Sequence, residues 1–354
     1  MPSYSGIWTL SQQFQAVGQG NWPVPPPQAI AVSSDSSPRI TAYLWTTSGF
    51  GTKFTDPATL PTGSGTEVAF TPAGNAIAVS HGTTPFITAY PWSASGFGTK
   101  YADPSTLPPQ TGQGVAFSPS SNAIAVSHQT PPYVSAYAWS SSTGFGAKFS
   151  DPATIPAGTG DKVAFSPAGD AIAVTHASSP YITAYPWSGS GFGTKYTNPA
   201  TLPTGSGGGV AFSPAGNALA LGHQNSPFVT VYSWSGSGFG TKFSNPATLP
   251  TSSGRGVAFS PASDAIAVAH NSSPGVTAYP WSGSGFGTKF ADPATLPTGT
   301  SLGVAFSSSG SAIAVAHTSS PFVSAYPWSG SGFGTKYTDP ATLPGSYGTG
   351  VAFI

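Results

Sequence analysis

Short runs of alternating hydrophobic and polar positions fill most of the chain, and residues 114–152 show the pattern in full. Residues 115–117 form an apolar run, which Ser-Pro-Ser-Ser-Asn follows. Residues 123–128 and 133–139 alternate large and small side chains, and Gly-Ala-Lys-Phe at 146–149 closes the unit. Runs rich in β-branched and aromatic residues, separated by Gly, Pro, Ser and Asn, predict four antiparallel strands joined by tight turns.

This unit recurs along the chain at a spacing of 47 or 48 residues between equivalent tryptophans. The equivalent tryptophans are Trp45, Trp92, Trp139, Trp187, Trp234, Trp281 and Trp328. Seven copies of a four-stranded unit at this period are typical of a propeller. The sequence therefore predicts an all-β fold, a seven-bladed β-propeller of four-stranded antiparallel blades over residues 29–354.

The two ends of the chain predict how the ring closes. The first copy starts at Ala29 and lacks the Val-Ala-Phe run, which instead ends the chain at residues 351–353. An unpaired inner strand would leave backbone groups without hydrogen-bond partners. We therefore expect the C-terminal strand to complete the N-terminal blade.

Within a blade the pattern predicts strand positions and faces. In the second copy the strands, from the innermost outwards, are predicted at 68–70, 76–81, 86–92 and 98–101. Large side chains face one neighbouring blade and alanines face the other, an arrangement that allows close stacking of sheets. With so few charges, hydrophobic stacking must hold the ring together.

Residues 1–28 stand outside the repeat and predict a short anchor. Thr9-Leu10-Ser11-Gln12 fits a helix start, and Leu10, Phe14 and Val17 lie on one helical face. A helix of about nine residues needs a surface to pack on. Either it packs on the propeller or, our preferred interpretation, it binds another subunit. Trp8 and Trp22 complete the predicted anchor, and the proline-rich residues 21–27 form a stiff linker.

Composition narrows the class of partner and leaves the compartment open. Ten basic and ten acidic side chains give a net charge of zero, whereas a nucleic-acid-binding protein needs a basic face. There is no cysteine, so disulfides and thiolate metal sites are excluded. The start of the chain does not resemble a secretory signal, and no run has the ~20 apolar residues of a membrane span. We expect no nucleic-acid partner and no membrane insertion.

The repeated polar residues are predicted to be structural. One histidine ends the second strand of each copy after the first, at His81, His128, His176, His223, His270 and His317. Histidines in different blades lie too far apart to share a metal ion, so hydrogen bonding to the adjacent loop is expected. Repeated lysines on the outermost strands protect exposed edges, with an anion-binding rim as the alternative. The tryptophans are expected to pack, although stacking on sugar rings is the other option. No catalytic constellation stands out, and no cofactor is predicted.

The copies differ most in the two residues that precede each Val-Ala-Phe run and in the loops between the second and third strands. In an antiparallel blade both connections emerge on the same face. We therefore expect any asymmetric partner at the channel mouth on this face, with Glu67, Asp161, Lys162 and Arg255 as the candidate residues. Neutral variation of surface loops is the competing interpretation.

Two resemblances add a functional expectation. Val-Ala-Phe-Ser-Pro-Ala-Gly at 163–169, followed by Ala-Ile-Ala-Val and a strand that ends in Trp187, resembles the WD-repeat pattern, although Ser or Thr replaces the Asp after Trp. This resemblance implies the propeller fold, but the family's buried Asp-His-Ser-Trp network does not carry over. Residues 5–16 and 20–23 resemble an N-terminal module of tailed-bacteriophage virion proteins.

Together these features predict a non-enzymatic structural component of a bacteriophage particle, located in the virion after assembly in the host cytoplasm. Its N-terminal segment would bind other virion proteins, and the propeller would serve as decoration, spacer or contact with a host glycan or receptor. A lectin-like carbohydrate-binding propeller is the first alternative. An intracellular WD-like scaffold is the second.

Overall fold

The computed structural model describes residues 28–354, which form seven four-stranded antiparallel sheets arranged as a propeller. This confirms the predicted all-β class, the blade count and the strand order. None of the described residues forms a helix. The predicted N-terminal helix, with Trp8, Leu10, Phe14, Val17 and Trp22, lies outside the described residues.

The 28 strands are numbered in chain order, and each blade contributes one strand to each of four concentric layers. The innermost strands, for blades 1 to 7 in turn, are β28 (Gly348–Phe353), β4 (Gly65–Phe70), β8 (Gly112–Phe117), β12 (Gly160–Phe165), β16 (Gly207–Phe212), β20 (Gly254–Phe259) and β24 (Ser301–Phe306). The second strands are β1 (Ala29–Ser34), β5 (Ala76–His81), β9 (Ala123–His128), β13 (Ala171–His176), β17 (Ala218–His223), β21 (Ala265–His270) and β25 (Ala312–His317).

The outer two layers follow the same blade order. The third strands are β2 (Ile40–Thr46), β6 (Ile87–Ser93), β10 (Val134–Ser140), β14 (Ile182–Ser188), β18 (Val229–Ser235), β22 (Val276–Ser282) and β26 (Val323–Ser329). The outermost strands are β3 (Gly49–Lys53), β7 (Gly96–Phe97), β11 (Gly144–Lys148), β15 (Gly191–Phe192), β19 (Gly238–Lys242), β23 (Gly285–Phe286) and β27 (Gly332–Phe333).

The C-terminal strand closes the ring as the sequence predicts. Strand β28 pairs antiparallel with β1, with Ile30 opposite Phe353 and Val32 opposite Val351. The amide of Ile354 also donates to the carbonyl of Ala29 over 3.1 Å. Both chain ends of the described part therefore belong to one sheet.

Large side chains of each blade pack on small side chains of the preceding blade, as predicted. Val68, Ile77 and Val79 of blade 2 join one core cluster with Ala29 and Ala31 of blade 1. Equivalent clusters fill the other six interfaces. Burying each large aliphatic side chain contributes ~1.5–3 kcal/mol, so the repeated interfaces are the main source of stability.

The outermost strand is shorter than predicted in some blades and begins earlier. In blade 2 it covers Gly96–Phe97 instead of the predicted 98–101. The blades with two-residue outer strands are those whose third strand carries a proline, at Pro91, Pro186, Pro280 and Pro327. The amide of Trp92 donates towards the second strand, to Asn75, so the amide of residue 91 would face the outer strand. Proline removes that donor and the pairing stops early.

Candidate functional site

The innermost strands surround a central channel, and their first residues form its mouth. A cavity of about 160 Å³ is lined by residues from all seven inner strands. The second of the two variable mouth positions is Gly114, Gly209, Gly256, Gly303 or Gly350 in five blades. The other two blades place Glu67 and Lys162 there. The charged side chains that line this cavity are those of Glu67, Lys162 and Arg255, and all three are sequence-predicted residues.

Glu67 and Lys162 form a tether across the mouth. The Lys162 ammonium, on blade 4, lies 2.7 Å from Glu67 Oε2 on blade 2. The same nitrogen donates to the carbonyls of Thr66, at 3.1 Å, and of Gln113, at 3.0 Å. All three N–H donors of the ammonium are therefore used, and the side chain braces blades 2, 3 and 4. We call Glu67 and Lys162 the tether pair.

The Glu67 carboxylate also lies against blade 1. A Cβ atom placed on Gly350 would be only 2.3 Å from Glu67 Oε1, so the carboxylate occupies the space that a side chain there would need. Glycine at this position of blade 1 is what allows the tether pair to fit. The two charges neutralise each other and leave no cationic group of the pair available for a ligand.

Asp161 and Arg255 are arranged differently, on either side of blade 5. They line a surface cavity of about 300 Å³ together with the polar side chains of Gln113, Ser206 and Gln224. We call this cavity the notch. Its volume falls at the low end of the range for small-molecule sites, which is roughly 300–1,000 Å³.

Both charged side chains of the notch keep hydrogen-bonding capacity. Arg255 Nε donates to Asn271 Oδ1 over 2.9 Å, which orients the guanidinium. Within residues 28–354, neither its two terminal nitrogens nor the Asp161 carboxylate has a hydrogen-bond or ion-pair partner. Burial raises the pKa of the Asp161 carboxyl above its usual range, and Glu67 adds to that rise, while Lys162 and Arg255 oppose it. A carboxylate of raised pKa beside an uncommitted guanidinium is a chemically capable pair.

Blade 5, which lies between the blades of these two residues, has no side chain at its mouth positions, Gly208 and Gly209. A Cβ on Gly208 would lie 2.6 Å from the carbonyl oxygen of Gly254, and one on Gly209 would lie 2.6 Å from the amide of Val257. Glycine is required here by the close approach of β16 to β20. The consequence is a stretch of channel mouth without side chains between blades 4 and 6.

The histidines are structural, as predicted. Each is fully buried, and its Nε2 lies 2.9–3.0 Å from a hydroxyl of the third strand, as His128 does from Ser135. His128 Nδ1 also lies 2.8 Å from the carbonyl oxygen of Thr130 in the adjacent loop. Burial lowers the pKa of each imidazole to about 4. Across residues 28–354, no group of three or more His, Asp and Glu side chains is placed to hold a metal ion.

The other repeated residues also have structural partners. Each of the seven tryptophans is buried, and Trp92 meets Phe54, Phe70 and Phe97 edge to face at centroid distances of 4.9–5.2 Å. These contacts support packing as the role of the repeated tryptophans, two of which, Trp45 and Trp328, also line surface cavities. The rim lysines pair with the Asp or Asn three residues later, as Lys289 does with Asp292. The anion-binding rim therefore has no support.

The sequence missed Gln113, Ser206 and Gln224 as parts of the site. Gln113 and Gln224 lie at positions where the copies differ, so their signal was present, whereas the position of Ser206 carries Ser or Thr in six of the seven copies. What the sequence could not show is which variable positions meet, because that depends on how the blades are placed around the ring.

The comparisons with known proteins identify the fold. No protein-family model and no curated protein matches the sequence. A solved protein of Lactobacillus plantarum is 14% identical, with a TM-score of 0.74 over 93% of this chain and 99% of that chain. A Bacteroides fragilis protein named as a candidate 6-phosphogluconolactonase is 10% identical, with a TM-score of 0.72 over 94% and 99%. The periplasmic gluconolactonase of Pseudomonas aeruginosa is 15% identical, with a TM-score of 0.67 over 92% and 99%.

These neighbours correct the predicted function. Their names point to lactonases, so the predictions of a bacteriophage structural component and of a non-enzymatic chain are wrong. The WD-repeat and phage-leader resemblances find no support beyond the propeller itself. At 10–15% identity the likeness shows the fold alone.

No helix within residues 28–354 has the length and apolar character to cross a membrane.

Proposed function

We propose that the protein is a lactone hydrolase and that the notch is its active site. The observation that carries this proposal is that one notch is lined by two charged side chains, Asp161 and Arg255, whose carboxylate and terminal guanidinium nitrogens have no hydrogen-bond partner within residues 28–354. The names of the propellers that share the fold, which include a gluconolactonase, favour a sugar lactone as the substrate. Polar side chains of the notch, Gln113, Ser206 and Gln224, suit a ligand with several hydroxyl groups.

Each charged residue has a defined role in the proposed reaction. The terminal N–H groups of Arg255 donate to the lactone carbonyl oxygen and stabilise the negative charge that develops on it. The Asp161 carboxylate accepts a proton from water as the water oxygen bonds to the carbonyl carbon. The ring C–O bond then breaks, the ring oxygen takes that proton and becomes a hydroxyl, and the product is the open hydroxy acid, which ionises.

The tether pair contributes to this reaction by fixing the strand end that carries Asp161. Lys162 follows Asp161 in β12, and its three hydrogen bonds hold that end of the strand against blades 2 and 3. Asp161 is therefore presented from a braced strand end. Lys162 and Glu67 are positioning residues in this proposal.

The test measures hydrolysis of D-glucono-1,5-lactone in a pH-stat, with the spontaneous rate subtracted. Asp161→Asn should lower kcat by about 10²-fold or more, which is typical for loss of a general base. Arg255→Met should lower it by about 10²-fold through loss of the oxyanion donor. The matched control is Asp292→Asn, because Asn198 and Asn245 already occupy the same place in other blades.

Two results would refute the proposed function. One is a wild-type rate no faster than spontaneous hydrolysis. The other is an Asp161→Asn variant that keeps the wild-type rate while circular dichroism shows both proteins folded. The raised pKa of Asp161 also predicts the direction of the pH dependence. Hydrolysis should slow as the pH is lowered through that pKa, because the protonated carboxyl cannot accept a proton.

A further inference from the structure

The charges of the notch also bear on which lactone it accepts. Arg255 is the one cationic residue among those that line the notch, all of which lie within the described part of the chain. Lys162 lines the neighbouring channel cavity, but its three donors are committed to Glu67, Thr66 and Gln113. A single uncommitted cation is thus available to a ligand.

A phosphorylated sugar lactone makes two demands on cations. Its carbonyl oxygen needs a donor as charge develops, and its phosphate carries up to two negative charges that must leave water. Arg255 can serve one of these groups. Whichever group it binds, the other faces Gln113, Ser206 and Gln224, which are neutral, or the Asp161 carboxylate, which repels an anion.

We infer that the notch selects an unphosphorylated sugar lactone and that Gln224 is the residue that sets this choice. This inference rests on the proposed function. The polyol end of such a substrate carries hydroxyl groups, which amides and a serine hydroxyl match as donors and acceptors. Gln224 lies in the loop after β17 of blade 5. Its side chain is exposed and lines the notch. Its counterpart in blade 3 is Gln129, which is absent from the notch lining.

The test compares two ligands on three proteins. Binding of gluconate and of 6-phosphogluconate is measured by calorimetry, and hydrolysis of the two corresponding lactones is measured in parallel. The proteins are the wild type, Gln224→Lys and the matched control Gln129→Lys, which adds the same charge at the same loop position of another blade. Binding gives a readout that does not depend on turnover.

The wild type should favour the unphosphorylated ligand by about tenfold or more. Gln224→Lys should move the ratio towards the phosphorylated ligand by about tenfold, because it supplies the missing cation. Gln129→Lys should leave the ratio at the wild-type value.

The inference is overturned if the wild type prefers 6-phosphogluconate, or if Gln129→Lys shifts the ratio as much as Gln224→Lys. Failure of the proposed function looks different. In that case neither lactone is hydrolysed faster than in buffer, while the preference for gluconate in the calorimeter and its response to Gln224→Lys persist. If neither ligand binds, both proposals are overturned.

Discussion

A single histidine shows how buried polar residues hold a blade together at the residue scale. His128 ends β9, where Nδ1 reaches the loop carbonyl of Thr130 and Nε2 meets the hydroxyl of Ser135 on β10. The imidazole thereby links a strand, its neighbour and the connecting loop without any charge. Burial keeps it neutral by lowering its pKa to about 4. Blade 1 has Ser34 in this place, and its hydroxyl donates to Ser36 within the same loop.

These histidines make stability depend on pH. Their pKa is about 4 in the folded protein and ~6.5 when exposed, so the unfolded chain binds more protons between those values. The free energy of unfolding should therefore fall as the pH is lowered from 6.5 towards 4, by up to about 1.4 kcal/mol per pH unit for each histidine. Urea unfolding at pH 7.5, 6.5 and 5.5 measures this slope.

The variant His128→Ser places in blade 3 the residue that blade 1 has at this position, Ser34, and so removes one buried imidazole. Its stability should fall at neutral pH, but its pH slope should be shallower by about one proton. Equal slopes for the variant and the wild type would show that these imidazoles do not titrate on unfolding.

At the scale of the element, one proline decides the length of the outer strand. Third strands with Leu44, Ala138 or Ser233 at this position pair with five-residue outer strands, whereas those with proline pair with two-residue ones. The sequence carried this information, since Pro91 stands in the middle of a predicted strand. Predicting its effect required knowing that the missing donor faces the outer strand. Hydrophobic alternation predicts which residues are strand, but it does not show which way each amide points.

An exchange of residues between blades tests this explanation. Ala138→Pro should shorten β11 and speed amide hydrogen exchange at residues 147 and 148, because the strand loses one cross-strand donor. Pro186→Ala should do the opposite in blade 4 and slow exchange in the segment after Gly191. The free energy of unfolding should change by about 1 kcal/mol or less in both cases. Unchanged exchange in both variants would contradict the proline explanation.

At the scale of the whole molecule, the repeated and the unrepeated residues carry different information. The repeat period, the turns and the missing first strand were enough to predict the fold and its closure, since they appear in every copy or at its boundary. The site depends on unrepeated residues from separate blades. Glu67 pairs with Lys162 across blade 3, and Asp161 and Arg255 line one notch from either side of blade 5. Such pairings depend on the width of the channel, and one sequence does not specify it.

The last prediction concerns closure of the ring. It tests whether pairing of β28 with β1 holds the propeller together. Deleting residues 351–354 removes Val351 and Phe353, which pack with Ile30 and Trp45, and exposes the edge of β1. Loss of these two side chains alone costs about 1.5–3 kcal/mol each, and the exposed edge favours aggregation.

The matched control is a circular permutant that begins at residue 63 and ends at residue 62. In it, Phe353 is joined to Ala29 by a turn copied from residues 71–75, which replaces Ile354, so blade 1 becomes continuous. A chain lacking only residues 1–27 serves as its reference. The permutant should unfold cooperatively at or above the reference melting temperature, because its sheets keep every pairing. The deletion should melt lower or aggregate, and a deletion that melts at the full-length temperature would show that β28 does not hold the ring shut.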